Sequence, residues 1–243
     1  MGVKNKLKSA IKNVIRKDIP YKRTDLDSEK FNDLDMDVRK ILNLLNYTKK
    51  SGSHYNAEGF DAGYHSFNLG GVDFRGQRDP KQRLAQVKFN FKGKKVLDLG
   101  CNQGGMLHAL GTKIEYGMGV DFDSRMINTA NRIAKYNQAK DLDFYVFDLE
   151  KENLELLYDF SRTENFDIVF MLSISMWIKN WKDVLRFAAS IADSLLFETN
   201  GISKQQLEQI TELKKVYKSV VLLADKSEDD PGQKKRQLFI CKN

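Results

Sequence analysis

The sequence contains few cysteines and prolines, and it has no long apolar run. Only two cysteines and three prolines occur among 243 residues. Two cysteines cannot form a disulfide framework or a four-cysteine zinc site, so we expect a reducing, cytoplasmic setting. No apolar run reaches the about 18 residues of a membrane-spanning helix, and the N-terminal residues lack the apolar stretch of a secretory signal peptide. Fifteen Phe and nine Tyr argue against disorder.

The net positive charge belongs to one short segment. The formal net charge is +7, and residues 1–23 account for all of it with eight basic side chains and one acidic one. The remainder of the chain therefore gives no sign of a nucleic-acid-binding surface. Residues 3–17 repeat apolar side chains at helical spacing, which predicts a basic amphipathic helix that is able to contact an anionic membrane surface.

The next stretch differs in character from both of its neighbours. Residues 35–47 show a helical apolar pattern, whereas residues 51–80 are rich in glycine and aromatic side chains and have no period. A long segment of this kind predicts a functional loop. We therefore divide the chain into residues 1–90, a basic helix and substrate-covering lid, and residues 91–243, a cofactor-binding domain.

From residue 94 onward, apolar strand patterns alternate with amphipathic helix patterns. This alternation predicts an α/β fold with a mostly parallel sheet and helices on both faces. The last two strand patterns, at residues 217–224 and 237–242, have no helix between them and should pair antiparallel.

One glycine-rich segment and two acids occupy strand ends in the predicted sheet. The segment VLDLGCNQGG, residues 96–105, lies between the first strand and a helix, where a nucleotide-like ligand binds in such sheets. Asp121 ends the second strand about twenty residues later, where an acid accepts hydrogen bonds from ribose hydroxyls. Asp148 follows the third strand, within reach of an adenine amino group. A plain turn and helix-capping acids are the structural alternatives.

These residues carry a family resemblance. The motifs VLDLGCNQGG, GVDFD, FDLE and FDIVFMLSIS resemble those of class I S-adenosylmethionine-dependent methyltransferases. The resemblance implies a Rossmann-like, seven-stranded, mostly parallel sheet with an antiparallel last strand, and S-adenosyl-L-methionine as cofactor. The glycine spacing of NAD-binding proteins, G-x-G-x-x-G, fits poorly.

The resemblance also implies which residues contact the cofactor. The methionine-side loop contains Asp98, Gly100, Cys101, Asn102 and Gly104, with Asn102 in place of the family's usual middle glycine. The contacts after the later strands are Asp121 for the ribose, Phe122, Asp148 and Leu149 for the adenine, and Leu172 and Ser173 beneath the methionine.

An upstream run, residues 76–83, resembles a segment that precedes the first motif in several bacterial small-molecule methyltransferases. Gln77 and Arg83 in this run are expected to bind the cofactor's carboxylate through charge-assisted hydrogen bonds. The alternative is the start of a solvated surface helix.

Candidates for the acceptor side come from the aromatic loop, the fourth strand end and the fifth strand end. We predict His65 as the base, with Tyr64 and Glu198 as the other catalytic candidates. Packing, capping or exposed-loop roles are the alternatives for several of these side chains. The spacing of His, Asp and Glu predicts no metal site. The predicted substrate-binding residues are Tyr21, Arg23, Tyr55, Arg75, Arg78, Trp177 and Asn200.

The combination of aromatic and arginine side chains favours a small, anionic or phosphorylated methyl acceptor. N- and O-methylation both stay open, with ethanolamine phosphate and capsule or other surface-glycan precursors as examples. No recognisable RNA-binding module occurs, so nucleic acid is not expected as a partner. The alternatives are a tRNA or other RNA methyltransferase that uses the basic tail and a non-enzymatic protein bound to a membrane surface.

Overall fold

The computed structural model of the chain describes residues 34–48, 62–227 and 235–243. The predicted helix at residues 3–17 and the predicted substrate residues Tyr21, Arg23 and Tyr55 lie outside these ranges. None of the helices within them has the length and apolar character that a bilayer span requires.

The segment that precedes the large sheet is more regular than the sequence suggested. We predicted an irregular loop over residues 51–80, but residues 63–78 form four short strands. One reason is that Gly70 and Gly71, both at positive φ, allow a tight hairpin between the second and third strands. The first strand pairs in parallel with the fourth. The elements are α1 Met36–Thr48, β1 Gly63–His65, β2 Phe67–Leu69, β3 Val72–Phe74, β4 Gly76–Arg78 and α2 Pro80–Ala85.

The large sheet has seven strands in the order β10-β11-β9-β8-β5-β6-β7. All neighbouring strands run parallel except β11, which is antiparallel to both β9 and β10. This confirms the predicted α/β class with a reversed last strand. The strands are β5 Lys95–Leu99, β6 Tyr116–Asp121, β7 Leu142–Val146, β8 Phe166–Leu172, β9 Ala192–Glu198, β10 Ser219–Ala224 and β11 Leu238–Lys242.

Helices cover both faces of this sheet, because successive strand residues point to opposite sides. Val96 packs under α3 and α4, whereas its neighbour Leu97 packs under α5, α6 and α7. Two separate apolar cores result, one on each face. The helices are α3 Gly105–Leu110, α4 Ser124–Tyr136, α5 Leu156–Phe160, α6 Trp181–Ile191 and α7 Ser203–Val216.

A third apolar cluster attaches the N-terminal elements to the outer side of α4. The apolar stripe of α1, which includes Val38 and Leu42, packs with Phe67 and Phe74 from the short strands and with Ile133 of α4. The described N-terminal elements therefore have a core of their own. The lid function predicted for residues 1–90 stays a prediction.

His108 joins this N-terminal unit to the sheet and should make stability depend on pH. Its ring lies between Phe67 and Phe144, and its Nε2 is 3.2 Å from the Ala130 carbonyl oxygen. Burial lowers the pKa of His108 from 6.5 to about 4. Since the unfolded chain takes up the proton more readily, this histidine destabilises the fold as the pH drops from 6.5 toward 4.

We predict that the unfolding free energy of His108→Gln lacks the pH dependence that His108 causes, because an uncharged amide does not titrate. Denaturant unfolding of both proteins between pH 7.5 and about pH 4.5 should show a difference in unfolding free energy that narrows as the pH falls. A difference independent of pH would contradict a histidine that stays neutral in the folded protein.

Candidate active site

The loop between β5 and α3 is anchored to the end of β6. The amide groups of Gly100 and Cys101 both donate hydrogen bonds to the Val120 carbonyl, at 2.8 and 2.9 Å. The amide of Asn102 donates to Oδ2 of Asp121 at 3.0 Å. The predicted methionine-side loop and the predicted ribose acid are therefore in direct contact.

Three residues of this loop adopt the left-handed backbone conformation. They are Gly100, Asn102 and Gly104, with φ of 74°, 54° and 70°. Asparagine tolerates this region better than most residues, which explains how Asn102 replaces a glycine of the family. A Cβ on Gly100 would lie 2.6 Å from Ile174, and one on Gly104 would lie 2.5 Å from the ring of Phe144. Both glycines are therefore needed for the left-handed backbone and for close packing of the loop against neighbouring side chains.

Two carboxylates lie together at the ends of β5 and β6. Asp98 is buried, and its Oδ2 has no hydrogen-bond partner among the described residues. Burial, with the nearby charge of Asp121, raises the pKa of Asp98 to about 8. Asp121 accepts hydrogen bonds from the amides of Asn102 and Asp123. This pair fits the cationic and hydroxyl groups of S-adenosylmethionine.

The predicted adenine contacts lie at the ends of β6 and β7. The side chain of Phe122 is 66% exposed beside the loop, and Leu149 is buried. Asp148 accepts a hydrogen bond from the Glu150 amide and pairs with Lys151 at 2.8 Å, which lowers the pKa of Asp148. Its carboxylate thus caps a turn, and its adenine contact stays a prediction.

A buried ionic cluster centres on Glu198, the last residue of β9. Its carboxylate is 2.9 Å from Arg78 Nη2 and 3.3 Å from Arg83 Nη2. The hydroxyls of Ser173 and Ser227 also donate to it. Predicted residues for catalysis, for the cofactor and for the acceptor therefore meet here, and Glu198 is engaged in ion pairs.

Two members of this cluster escaped the sequence analysis. Ser227 and Arg236 flank the connection between β10 and β11, and no motif marks them. Arg236 donates to Ser173 Oγ at 3.2 Å and lies 4.0 Å from Glu198. Only the antiparallel return of β11 beside β9 brings them here. Gln77, expected to bind the cofactor carboxylate, is buried nearby with its Oε1 unpartnered among the described residues.

The segment after β8 is held in a fixed turn. Ser173 has a φ of 59° and follows the predicted contact Leu172. The side chain of Asn200 donates to the Ser173 carbonyl at 2.6 Å and accepts from the Met176 amide at 3.2 Å. Asn200, predicted to bind substrate, holds this turn. Trp177 at the end of this turn is 80% exposed, so the hydrogen-bonded turn holds an indole ring at the surface.

His65 lies beside the first residue of α3, next to the glycine-rich loop between β5 and α3. Its ring packs on the backbone of Gly105, its amide donates to Gln103 Oε1 at 3.3 Å, and its Nδ1 has no partner among the described residues. Burial, followed by the charge of Arg78, lowers the pKa of His65 to about 3. The imidazole is therefore neutral at physiological pH. The ring of Tyr64 is 4.5 Å away.

The predicted substrate residue Arg75 lies at a cleft beside α3. Its side chain is exposed and lines a cleft of about 490 Å³ beside α3, together with Asp73 and His108. Within the described residues, no group of three or more His, Cys, Asp or Glu side chains is arranged to hold a metal ion.

An α/β sheet with a reversed last strand, a glycine-rich loop after β5 and an acid at the end of β6 is typical of Rossmann-like domains that bind a nucleotide cofactor. The methyltransferase domain family matches residues 90–236. The chain belongs to this family, and S-adenosylmethionine is its cofactor.

Solved structures show the same fold at low sequence identity. The N-terminal domain of EvdMO1 with S-adenosylhomocysteine bound has a TM-score of 0.61 and 14% identity, covering 85% of this chain and 97% of that domain. WbdD has a TM-score of 0.55 and 22% identity, covering 69% of this chain and 41% of its own. The matches span less than half of the longer EvdMO1 chain and of WbdD. No curated protein is similar enough in sequence to count as a relative.

We predict that Gly104→Ala destabilises the protein more than Gly93→Ala. Both glycines have similar φ, 70° and 67°, but a Cβ on Gly93 meets no atom within 4 Å. The control thus carries mainly the backbone strain of about 1–2 kcal/mol, whereas Gly104→Ala adds about 1–3 kcal/mol of overpacking against Phe144. Chemical denaturation measures both, and equal losses would contradict close packing of the glycine-rich loop.

We predict that Asp121→Ala weakens binding of S-adenosylhomocysteine by at least about tenfold, because charged hydrogen bonds to the ribose and to the loop amide are lost. Isothermal titration calorimetry measures this. The control is Asp143→Ala, which removes a carboxylate on β7 that pairs with Arg162. This variant should bind S-adenosylhomocysteine normally. An unchanged affinity of Asp121→Ala would refute the ribose assignment.

Proposed function

We propose that the protein transfers a methyl group from S-adenosylmethionine to a small anionic acceptor, such as a phosphorylated amine or a surface-glycan precursor. The observation that carries the proposal is the arginine cluster around Glu198. Arg78 and Arg83 are buried within hydrogen-bond distance of its carboxylate, and Arg236 lies beside Ser173. These cations stand at the carboxyl ends of β8 and β9, next to the cofactor loop.

The charged and polar residues at the carboxyl ends of the strands are complementary to the polar groups of the cofactor. The acids Asp98 and Asp121 suit its ammonium and ribose groups, and Gln77 with Arg83 suits its carboxylate. When bound, the cofactor supplies an electrophilic methyl group on a sulfonium. The chain's own contribution is to orient the acceptor in line with that group and to exclude water.

The acceptor side contains cationic and aromatic groups. Arg236, whose side chain is 19% exposed, is our candidate for binding an anionic substituent, with the buried Arg78 adding positive charge behind it. The exposed indole of Trp177 offers a flat apolar face. Two fold relatives support a sugar-related acceptor: the N-terminal domain of EvdMO1 was solved in the presence of S-adenosylhomocysteine and D-fucose, and WbdD is described as a bifunctional kinase–methyltransferase.

Proton removal is the remaining chemical task. His65 is neutral and therefore unprotonated, but with a pKa of about 3 it is a weak base, and Glu198 is already paired with arginines. We infer that transfer relies mainly on proximity and orientation. Tyr64, His65 and Glu198 remain the candidate acid–base residues, and an amine acceptor that arrives unprotonated needs none of them.

We predict that the enzyme methylates the phosphorylated member of matched acceptor pairs. Ethanolamine and phosphoethanolamine, and a hexose and its phosphate, are incubated with enzyme and S-adenosylmethionine, and mass spectrometry detects the added methyl group. Total tRNA tests the RNA alternative. Equal methylation of neutral partners, or methylation of tRNA alone, would contradict the proposal.

The variant Arg236→Gln separates acceptor binding from cofactor binding. It should raise the acceptor's KM by about tenfold, because a charged hydrogen bond is lost, while S-adenosylhomocysteine binds normally. Arg162→Gln is the control, since Arg162 pairs with Asp143 near the start of β7, away from the carboxyl ends of the strands. Parallel losses in both variants would indicate a general effect on the fold.

A further inference from the structure

A buried glutamine on α7 binds the backbone of Asn200, two residues beyond the end of β9. The Oε1 of Gln209 accepts a hydrogen bond from the Asn200 amide at 3.1 Å, and its Nε2 donates to the Asn200 carbonyl at 2.8 Å. A single hydrogen bond would allow Asn200 to pivot, whereas two bonds to the N–H and C=O of the same residue fix its orientation. A buried side-chain amide is costly unless its polar atoms are bonded, and Asn200 supplies both partners.

The side chain of Asn200 binds the turn after β8 at two points. It donates to the Ser173 carbonyl at 2.6 Å and accepts from the Met176 amide at 3.2 Å. Ile174 lies between these two points and packs against the glycine-rich loop, since a Cβ on Gly100 would be 2.6 Å from its side chain. A continuous set of contacts therefore leads from α7, through one asparagine, to the loop that is expected to hold the cofactor.

We propose that Gln209 is a positioning residue of the active site, which sets the turn at residues 173–177 against the glycine-rich loop by acting through Asn200. The turn includes Ser173 and Trp177, the candidate contacts of the cofactor and of the acceptor, so its displacement alters the site even though Gln209 itself is not a ligand. This inference deepens the proposed function. It rests on S-adenosylmethionine as the cofactor and does not depend on which acceptor is methylated.

A second glutamine on the same helix provides a matched control. Gln205 accepts a hydrogen bond from the Ile202 amide at 2.9 Å, so it binds the same segment between β9 and α7, but at a residue whose side chain is exposed. A glutamine that only stabilises the fold would lower the unfolding free energy when it is replaced and would leave the ligand affinity of the folded protein unchanged. Comparing the two positions therefore separates positioning from stabilisation.

Isothermal titration calorimetry of the full chain with S-adenosylhomocysteine tests the proposal without any acceptor. We expect Gln209→Met, which keeps the side-chain length but not the hydrogen bonds, to weaken binding by about three- to thirtyfold. Gln205→Met should bind like the wild type. Gln209→Glu keeps the acceptor for the Asn200 amide and is the milder variant, to be used if Gln209→Met does not fold. A folded Gln209 variant with wild-type affinity would overturn the proposal, whatever the acceptor assays show.

A double-mutant cycle tests the route through Asn200. The variant Asn200→Ala removes the side-chain bonds to the turn but keeps the backbone groups that Gln209 binds. In the Asn200→Ala background, adding Gln209→Met should therefore weaken S-adenosylhomocysteine binding no further, because the link to the turn is already lost. Denaturant unfolding should still show a loss of stability on that addition, since the backbone bonds are broken in both backgrounds. Affinity losses that simply multiply would refute this route.

Discussion

The arrangement of segments at the carboxyl ends of β8 and β9 depends on the buried carboxylate of Glu198. It joins β9 to the upstream arginines Arg78 and Arg83, to the turn after β8 through Ser173, and to the β10–β11 connection through Ser227. These segments are distant in sequence. Removing one partner of a buried ion pair costs about 3–5 kcal/mol, because an uncompensated charge stays behind. Substituting one member of the cluster should therefore destabilise the protein. The ion pairs also hold the arginines beside the glycine-rich loop.

Charge is distributed unevenly along the carboxyl ends of the sheet. Asp98 and Asp121 make the edge acidic at β5 and β6, and the arginines make it basic near β9. In S-adenosylmethionine the ribose hydroxyls lie toward one end of the molecule, and the ammonium and carboxylate groups share one carbon at the other end. The raised pKa of Asp98 means that the site without a cation holds this carboxylate at an energetic disadvantage, which a bound cation relieves.

The core of the domain could be read from its periodicity. The alternation of strand and helix patterns predicted from residue 94 onward is present in the structure, because apolar strands and amphipathic helices bury their apolar faces in one way. The region before the sheet was read less well. Strands of three residues, such as β1 and β4, are too short to establish an alternating pattern of period two, and pairing with other strands stabilises them.

The sequence by itself determined the α/β class, the reversed last strand and the positions of the glycine-rich loop and of the acids at the strand ends, since these follow from local patterns along consecutive residues. Only the tertiary structure decided that Glu198 is engaged by arginines, that Asn200 holds a turn and that His65 is buried with a low pKa. Hydrogen-bond partners and burial depend on segments that are remote in the chain, and no local pattern encodes which of them meet.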